Sequence, residues 1–411
     1  MAAAPRSIRH LDRPQPQHLR REHARVVLRP GRILAVVALV AVLVLAGGMA
    51  GTVTHLRGNI TTAPLRTGTD AAQGDAEEGD LTILLLGSDS RDLAEESFGE
   101  ADGSRRSDAM VLAHLSADDG RIDAVQLPRD TLLDLPACAD TGRGSFSGGR
   151  GMLNSALNYG PACSVAAVEE LTGVRIDHFV ELDFEGFIAI IDALGGLPVC
   201  LPESMEDPAA DLDLPAGEQT LDGRDALALA RTRHAVGDGS DIARLGHQQM
   251  VMSAVVQEAT SRQVVARPDR LYSFLDATTS ALTVDPGLSA ISDMASLGSR
   301  VSRVPTESIT FVTMPWEPAP GDPNRVVPSA EAEAVFEDLA GDVPLAVAGT
   351  GSGHTTSSEP EGAEGSGSGE ASSSQEPTSD AEAPADGRAE ESSTSTTGTT
   401  VRTADVDLCS D

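Results

Sequence analysis

The stretch "HFVELDFEGFIAIIDALGGLPVCLP", residues 178–202, decides the fold. "HFVELD" reads as a strand, "FEGFIAIIDAL" as a helix that the glycine pair stops, and "LPVCLP" as another short strand. Upstream, "LTILLLG" (81–87) is an apolar run of strand length ending in glycine. "AMVLAHL" (109–115) and "RIDAVQL" (121–127) follow with strand character across a turn at "SADDG". "SVAAVEELTG" (164–173) predicts a helix closed by glycine. Downstream, "LDGRDALALARTR" (221–233) predicts a helix capped by Asp222, and "SDIARLGHQQMVMSAVVQEATSR" (240–262) a long amphipathic helix behind Ser240. Two more helices are expected near 268–280 and 287–302, then a strand in "SITFVTMPW" (308–316) and a helix in "SAEAEAVFEDLA" (329–340). Strands alternating with helices predict a layered α/β domain, a mixed sheet flanked by helices, over residues 81–345.

The ends differ from this middle. Residues 1–32 carry eight arginines against Asp12 and Glu22, and Ile33–Val53 carries no charge. An uncharged run of about 20 residues is long enough for a bilayer core. Arginines before it place the N-terminus in the cytoplasm. The expectation is an uncleaved signal anchor at 33–53, a linker over 54–80 and an extracytoplasmic domain beyond. A cleaved signal peptide is the alternative, since "GGMAG" offers small residues. From 346 to 411 Ser, Thr, Gly, Glu and Pro dominate, too little apolar mass to offset ordering entropy, so an acidic disordered tail is expected.

The 411 residues carry a formal charge of −33, which argues against nucleic-acid binding. All the basic side chains are arginine, so only their positions inform. Cys138, Cys163 and Cys200 lie in the expected domain. Outside the membrane a disulfide persists, and Cys138 and Cys163 sit in loop-rich text, but three pairings remain open.

Acidic and basic residues cluster at strand ends. "LLLGSDSR" places Asp89 and Arg91 after a buried strand, where open α/β sheets put ligand sites. "RRSDAM" places Arg106 and Asp108 before the next strand, and "QLPRDT" adds Arg129 and Asp130 after a third. If the first two strands are neighbours, Asp89 and Asp108 face one crevice, as a pair of oxygen ligands fit for Mg²⁺. Any one cluster alone reads as a surface salt bridge. Arg231 and Arg233 end one helix, and Arg244 and Gln248 lie one turn apart on the next. Guanidinium groups match phosphate oxygens in pairs, so the set points to a diphosphate whose metal is held by Asp89 and Asp108. Phosphoryl transfer draws on such positioning and charge neutralisation.

Seven motifs in order, "LLLGSDSR", "RRSDAM", "LPRDT", "MLNSALNYG", "VEELTGVRIDHFVELDFEGFIAIIDALGG", "LDGRDALALARTRH" and "GSDIARLGHQQ", resemble the LytR-CpsA-Psr family of membrane-anchored cell-wall glycopolymer ligases, in its actinobacterial form. The resemblance implies a phosphotransferase with an apolar channel for a prenyl chain, walled by the helices of "FEGFIAIIDALGG" and 240–262. It implies transfer of a glycopolymer from a polyprenyl diphosphate carrier to the C6 hydroxyl of muramic acid in peptidoglycan. Asp89 and Asp108 then resemble the Mg²⁺ ligands, with Mn²⁺ the alternative metal. Arg91, Arg106, Arg129, Arg231, Arg233 and Arg244, with Gln248, resemble the diphosphate-binding set. Two positions depart from the family: Leu133 and His247 stand where many members have arginine. The alternative reading is a lipid-diphosphate binder with only pyrophosphatase activity or a non-catalytic envelope role. Arabinogalactan, teichoic-acid-like polymers and capsule all remain open as cargo.

Overall fold

The computed structural model describes residues 30–67, 79–89, 105–208, 210–232, 241–345 and 401–403. It divides into two compact units, one up to Thr54 and one from His55 onward. Helix α1 (Pro30–Asn59) contains the uncharged run expected to span a membrane. Most side chains in the first half of that run lie outside the described set. Among the described residues no helix is long and apolar enough to cross a membrane.

The second unit is built on an eight-stranded sheet. In chain order its early strands are β1 (Thr61–Thr62), β2 (Leu81–Ser88), β3 (Ser107–Leu115) and β4 (Ile122–Gln126). A hairpin of β5 (Leu132–Leu135) and β6 (Gly149–Met152) stands apart and leads through a 3₁₀ turn to α2 (Pro161–Thr172). Strand β7 (His178–Asp183) then runs directly into α3 (Phe184–Leu194). Two further pairs follow, β8 (Leu197–Leu201) with β11 (Gly217–Leu221) and β9 (Met205–Asp207) with β10 (Leu212–Leu214). Helices α4 (Gly223–Arg231), α5 (Asp241–Ala259), α6 (Arg262–Val265) and α7 (Pro268–Ala281) precede β12 (Leu282–Val284). Helix α8 (Ile291–Val301), β13 (Ile309–Thr313), the hairpin β14 (Trp316–Ala319) and β15 (Asp322–Pro328), α9 (Ala330–Ala340) and β16 (Val401–Thr403) complete the unit.

The sheet order is β1-β12-β7-β2-β3-β4-β13-β16. The sheet is mixed: β2 is parallel to β7 and antiparallel to β3, and β4 is antiparallel to β3 and parallel to β13. The central β2 is covered on both faces, which is why it reads as unbroken apolar text rather than alternation. Leu84, Leu86, Met110, Leu112 and Phe179 turn to the face closed by α2 and α9. Ile83, Val111 and Phe311 turn to the other, where Met252 and Val256 of α5 and Leu297 of α8 meet them. A third cluster joins Ile191 and Leu194 of α3 to Leu229 of α4 and Val251 of α5. Each fully buried leucine contributes about 1.5–3 kcal/mol.

Most expected elements are present. Val401–Thr403 departs from the expected structureless tail: it pairs with β13 and extends the sheet by one strand. The pairing of the cysteines is settled in part. Cys138 and Cys163 form a disulfide with Cα atoms 5.6 Å apart, and Cys200 is disulfide-bonded as well.

Candidate functional site

Strands β2 and β3 are antiparallel neighbours, so the end of one and the start of the other lie together. The register steps from Gly87↔Ala109 to Ser88↔Ser107, which makes Asp108 the extra residue of a β-bulge. A bulge re-aims the side chain it carries. Just past this point the Asp89 N–H donates to the Arg106 carbonyl at 3.0 Å, and the Arg106 N–H donates to Asp89 Oδ1 at 2.8 Å. The two aspartates therefore stand at the same end of the β2–β3 pair, the Asp89 carboxylate held by a backbone N–H.

Arg129 follows β4, the next strand over. Its guanidinium is ion-paired with Asp108, and its Nε lies 3.7 Å from Asp130. Arg325 reaches the same Asp130 at 3.2 Å. The Arg129 carbonyl accepts from the Asn154 N–H at 3.1 Å, which ties this turn to "MLNSALNYG". Arg106 is exposed. Arg91 and Arg233 lie outside the described residues.

Arg231 is placed by helix packing. Asp222 caps α4 by accepting from the N–H groups of Arg224 and Asp225, both at 2.9 Å. The Gly223 N–H donates to Asp192 of α3 at 2.8 Å. A Cβ on Gly223 would meet the Ile188 carbonyl oxygen at 2.5 Å, so glycine permits the close approach of α3 and α4. At its other end α4 stops at Thr232, whose hydroxyl donates to the buried Asp207 at 2.6 Å. Arg231, the last residue of α4, lies over the Phe184 ring, 4.7 Å from its centroid.

Helix α5 carries the other two expected residues. Arg244 and Gln248 are both buried, one turn apart, and Gln248 reaches the sheet. Gln248 Oε1 accepts from Gln126 of β4 at 2.6 Å, and its Nε2 donates to the Ala230 carbonyl at 3.3 Å. One bridge thus links the sheet, α5 and the end of α4 beside Arg231.

The two departures occupy different surroundings. Leu133 packs in the core beneath α2, where a guanidinium would be buried among apolar side chains. His247 is buried on α5. Sequence reasoning did not single out Gln126, Phe184 or the Thr232–Asp207 pair. Gln126 left a signal: it is a polar residue in a buried strand, "IDAVQL".

Among the described residues no group of three or more His, Cys, Asp or Glu side chains is placed to hold a metal ion. Two carboxylates with the phosphates of a substrate are nonetheless a common ligand set for Mg²⁺. Asp89 and Asp108 supply hard oxygens at one edge, which fits that cation. The described cavity of about 470 Å³, between α2 and α9 with Phe336 and Glu333 in its lining, shares no residue with this set.

The LytR_cpsA_psr family model matches residues 54–338. The chain is 30% identical over 270 residues to the cell wall biosynthesis protein LcpA of Corynebacterium glutamicum, covering 59% of this chain and 51% of that protein. It is 34% identical over 212 residues to the probable cell wall biosynthesis protein LcpB of the same organism, covering 50% and 48%. The chain thus spans about half the length of these relatives. It is also 28% identical over 246 residues to the polyisoprenyl-teichoic acid–peptidoglycan teichoic acid transferase TagT of Bacillus subtilis, covering 56% and 70%. Its fold is similar to a LytR-Csp2A-Psr enzyme from Actinomyces oris, with TM-score 0.52, 26% identity, and coverage of 69% of this chain and 95% of that one.

Proposed function

As the chain belongs to the LytR-CpsA-Psr family, we propose that it transfers a glycopolymer from a polyprenyl diphosphate carrier to peptidoglycan. The bond formed is a phosphodiester to the C6 hydroxyl of a muramic acid residue, and the prenyl phosphate departs. The observation that carries this reading is the meeting of Asp89 and Asp108 at one sheet edge with Arg129 bound to Asp108. The relatives named as teichoic acid–peptidoglycan transferases support the substrate class.

Asp89 and Asp108 would hold Mg²⁺ or Mn²⁺, which offsets charge on the diphosphate oxygens. Arg129 is held beside them by Asp108 and Asp130, so its fork is oriented before substrate arrives. Arg231 at the end of α4 and Arg244 on α5 add positive charge for the phosphates, with Arg91, Arg106 and Arg233 assigned to the same set. Charge that spreads over phosphoryl oxygens during transfer is stabilised by such fixed cations. The prenyl chain is assigned to the apolar faces of α3 and α5, whose packed side chains would part to admit it. The uncharged run 33–53 serves as the anchor, with residues 1–32 cytoplasmic and the domain outside the membrane.

A short-chain prenyl diphosphate saccharide, a peptidoglycan fragment and Mg²⁺, followed by mass spectrometry, test the reaction. The expected product is the phosphodiester-linked conjugate, absent with Asp89→Ala or Asp108→Ala. Water as the sole acceptor would reduce the protein to a pyrophosphatase. Wild-type turnover by either variant in saturating Mg²⁺ would remove the two-carboxylate site. A reporter fused after residue 80 should be active only in the exported compartment; cytoplasmic activity overturns the anchor.

A further inference from the structure

We propose that Gln126 is a positioning residue that sets which end of the Gln248 side-chain amide faces the diphosphate. The inference rests on the proposed function for the identity of the ligand, and on the hydrogen bonds for the rest.

The direction of the amide chain follows from one fixed group. The Ala230 carbonyl can only accept, so Gln248 must turn its NH₂ toward it, as it does at 3.3 Å. Gln248 Oε1 then points the other way, where the neighbour must donate. That neighbour is Gln126 Nε2 at 2.6 Å. Gln126 is fully buried in β4, which leaves little room for water to take its place as donor, whereas Gln248 keeps a small exposed fraction. Nε2 carries a second N–H besides the one given to the Ala230 carbonyl, and in this proposal it is the one that meets the ligand, next in the chain to Arg231. An amide presented this way donates to a phosphate oxygen; the flipped amide would present Oε1 and repel it.

Gln126 also explains its own placement. Gln126 is one of two buried polar residues of β4: Asp123 is ion-paired with Arg121, and Ala124 and Val125 between the two are apolar. A fully buried glutamine costs several kcal/mol of desolvation unless its polar atoms are used. Its Nε2 is used on Gln248. Its Oε1 has no partner among the described residues, so the contact with Gln248 is the one its amide makes there.

The test is a set of variants in the full chain, read by isothermal titration with a short-chain prenyl diphosphate. Gln126→Met keeps length and volume and removes the donor. Its affinity should fall about threefold to tenfold, the effect of one lost hydrogen bond, with the melting temperature held near wild type. Gln126→Glu gives the sharper readout. The introduced carboxyl donates to Gln248 only when protonated, so affinity should be near wild type at low pH and fall as that group ionises, while Gln126→Met shows no such pH dependence relative to wild type. In the Gln248→Met background Gln126→Met should have no further effect on affinity, and any pH dependence that Gln126→Glu keeps there is the direct repulsion of its charge, to be subtracted. Equal affinities for wild type and Gln126→Met, or a flat pH profile for Gln126→Glu relative to wild type, overturn the positioning role while leaving the ligase reading intact. Failure of the wild-type protein to bind the diphosphate overturns both.

Discussion

Gly223→Ala separates packing from chemistry at the arginine end of the site. The added Cβ would lie 2.5 Å from the Ile188 carbonyl oxygen and 2.7 Å from the Ile188 Cα. Both are backbone atoms, so no side chain can swing away. Ordinary contact begins near 3.4 Å, so α4 must retreat from α3 by roughly 1 Å. Overpacking of this kind costs about 1–3 kcal/mol. Alanine returns up to about 1 kcal/mol through helix propensity and a less flexible unfolded chain. The expected net loss is about 1–2 kcal/mol, or roughly 2–8 °C in melting temperature for a domain of this size. The functional effect is larger in proportion. Arg231 ends the helix that shifts, and a displacement of about 1 Å at a positioning group can cost about a hundredfold in turnover. Gly298, inside α8 with nothing within 4 Å of its would-be Cβ, is the control. Gly298→Ala should stabilise by about 0.4–1 kcal/mol and leave activity unchanged. Calorimetry with the transfer assay reads both. Wild-type stability and turnover in Gly223→Ala would refute the claim that glycine sets the α3–α4 distance and, through it, the position of Arg231.

Three other perturbations follow from named contacts. Arg231→Lys and Arg244→Lys keep charge but lose the fork, and should weaken prenyl diphosphate binding about tenfold to a hundredfold in titration, whereas the distal Arg262→Lys should not; equal small effects at all three would reduce the arginines to surface charge. Asp342→Asn tests the ion cluster at the opposite end of the sheet, where Asp342 accepts from Arg121 at 2.6 Å, His114 at 3.1 Å and the Ala117 N–H at 3.2 Å. Burial alone would raise the Asp342 carboxyl, but the Ala117 N–H, His114 and Arg121 together outweigh it and hold it below its ordinary value. Its stabilisation is therefore present above about pH 4, the unfolded value, and is lost as pH falls through the lower folded one. Urea unfolding should show the variant about 1–2 kcal/mol weaker at pH 7 and the gap closing in acid; a gap that widens in acid reverses the sign. Replacing Cys138 and Cys163 together by serine opens a link spanning 25 residues and should cost about 3–4 kcal/mol in denaturant unfolding, with no change in the ligands of the site; an unchanged midpoint would mean the loop is held by its other contacts.

The sequence by itself determined most of the elements. Local rules suffice there: a glycine that stops α3, an aspartate that caps α4 and an apolar run that becomes the doubly covered β2 are each decided within a few residues. The ordered motifs likewise identified the family. The tertiary structure decided what depends on contacts distant in the chain. The strand order, which joins β13 to β4 and β7 to β2, comes from which apolar faces close on one another. The bulge at Asp108 exists only in the pairing of β3 with β2. Val401–Thr403 was unreadable as a strand because three residues in polar text carry no pattern; the open edge of β13 supplies their order. Gln126 was visible as a polar residue in a buried strand, but its partner lies 122 residues away on α5. A hydrogen bond between two buried amides has no local signature, because its energy depends on geometry that the fold alone provides.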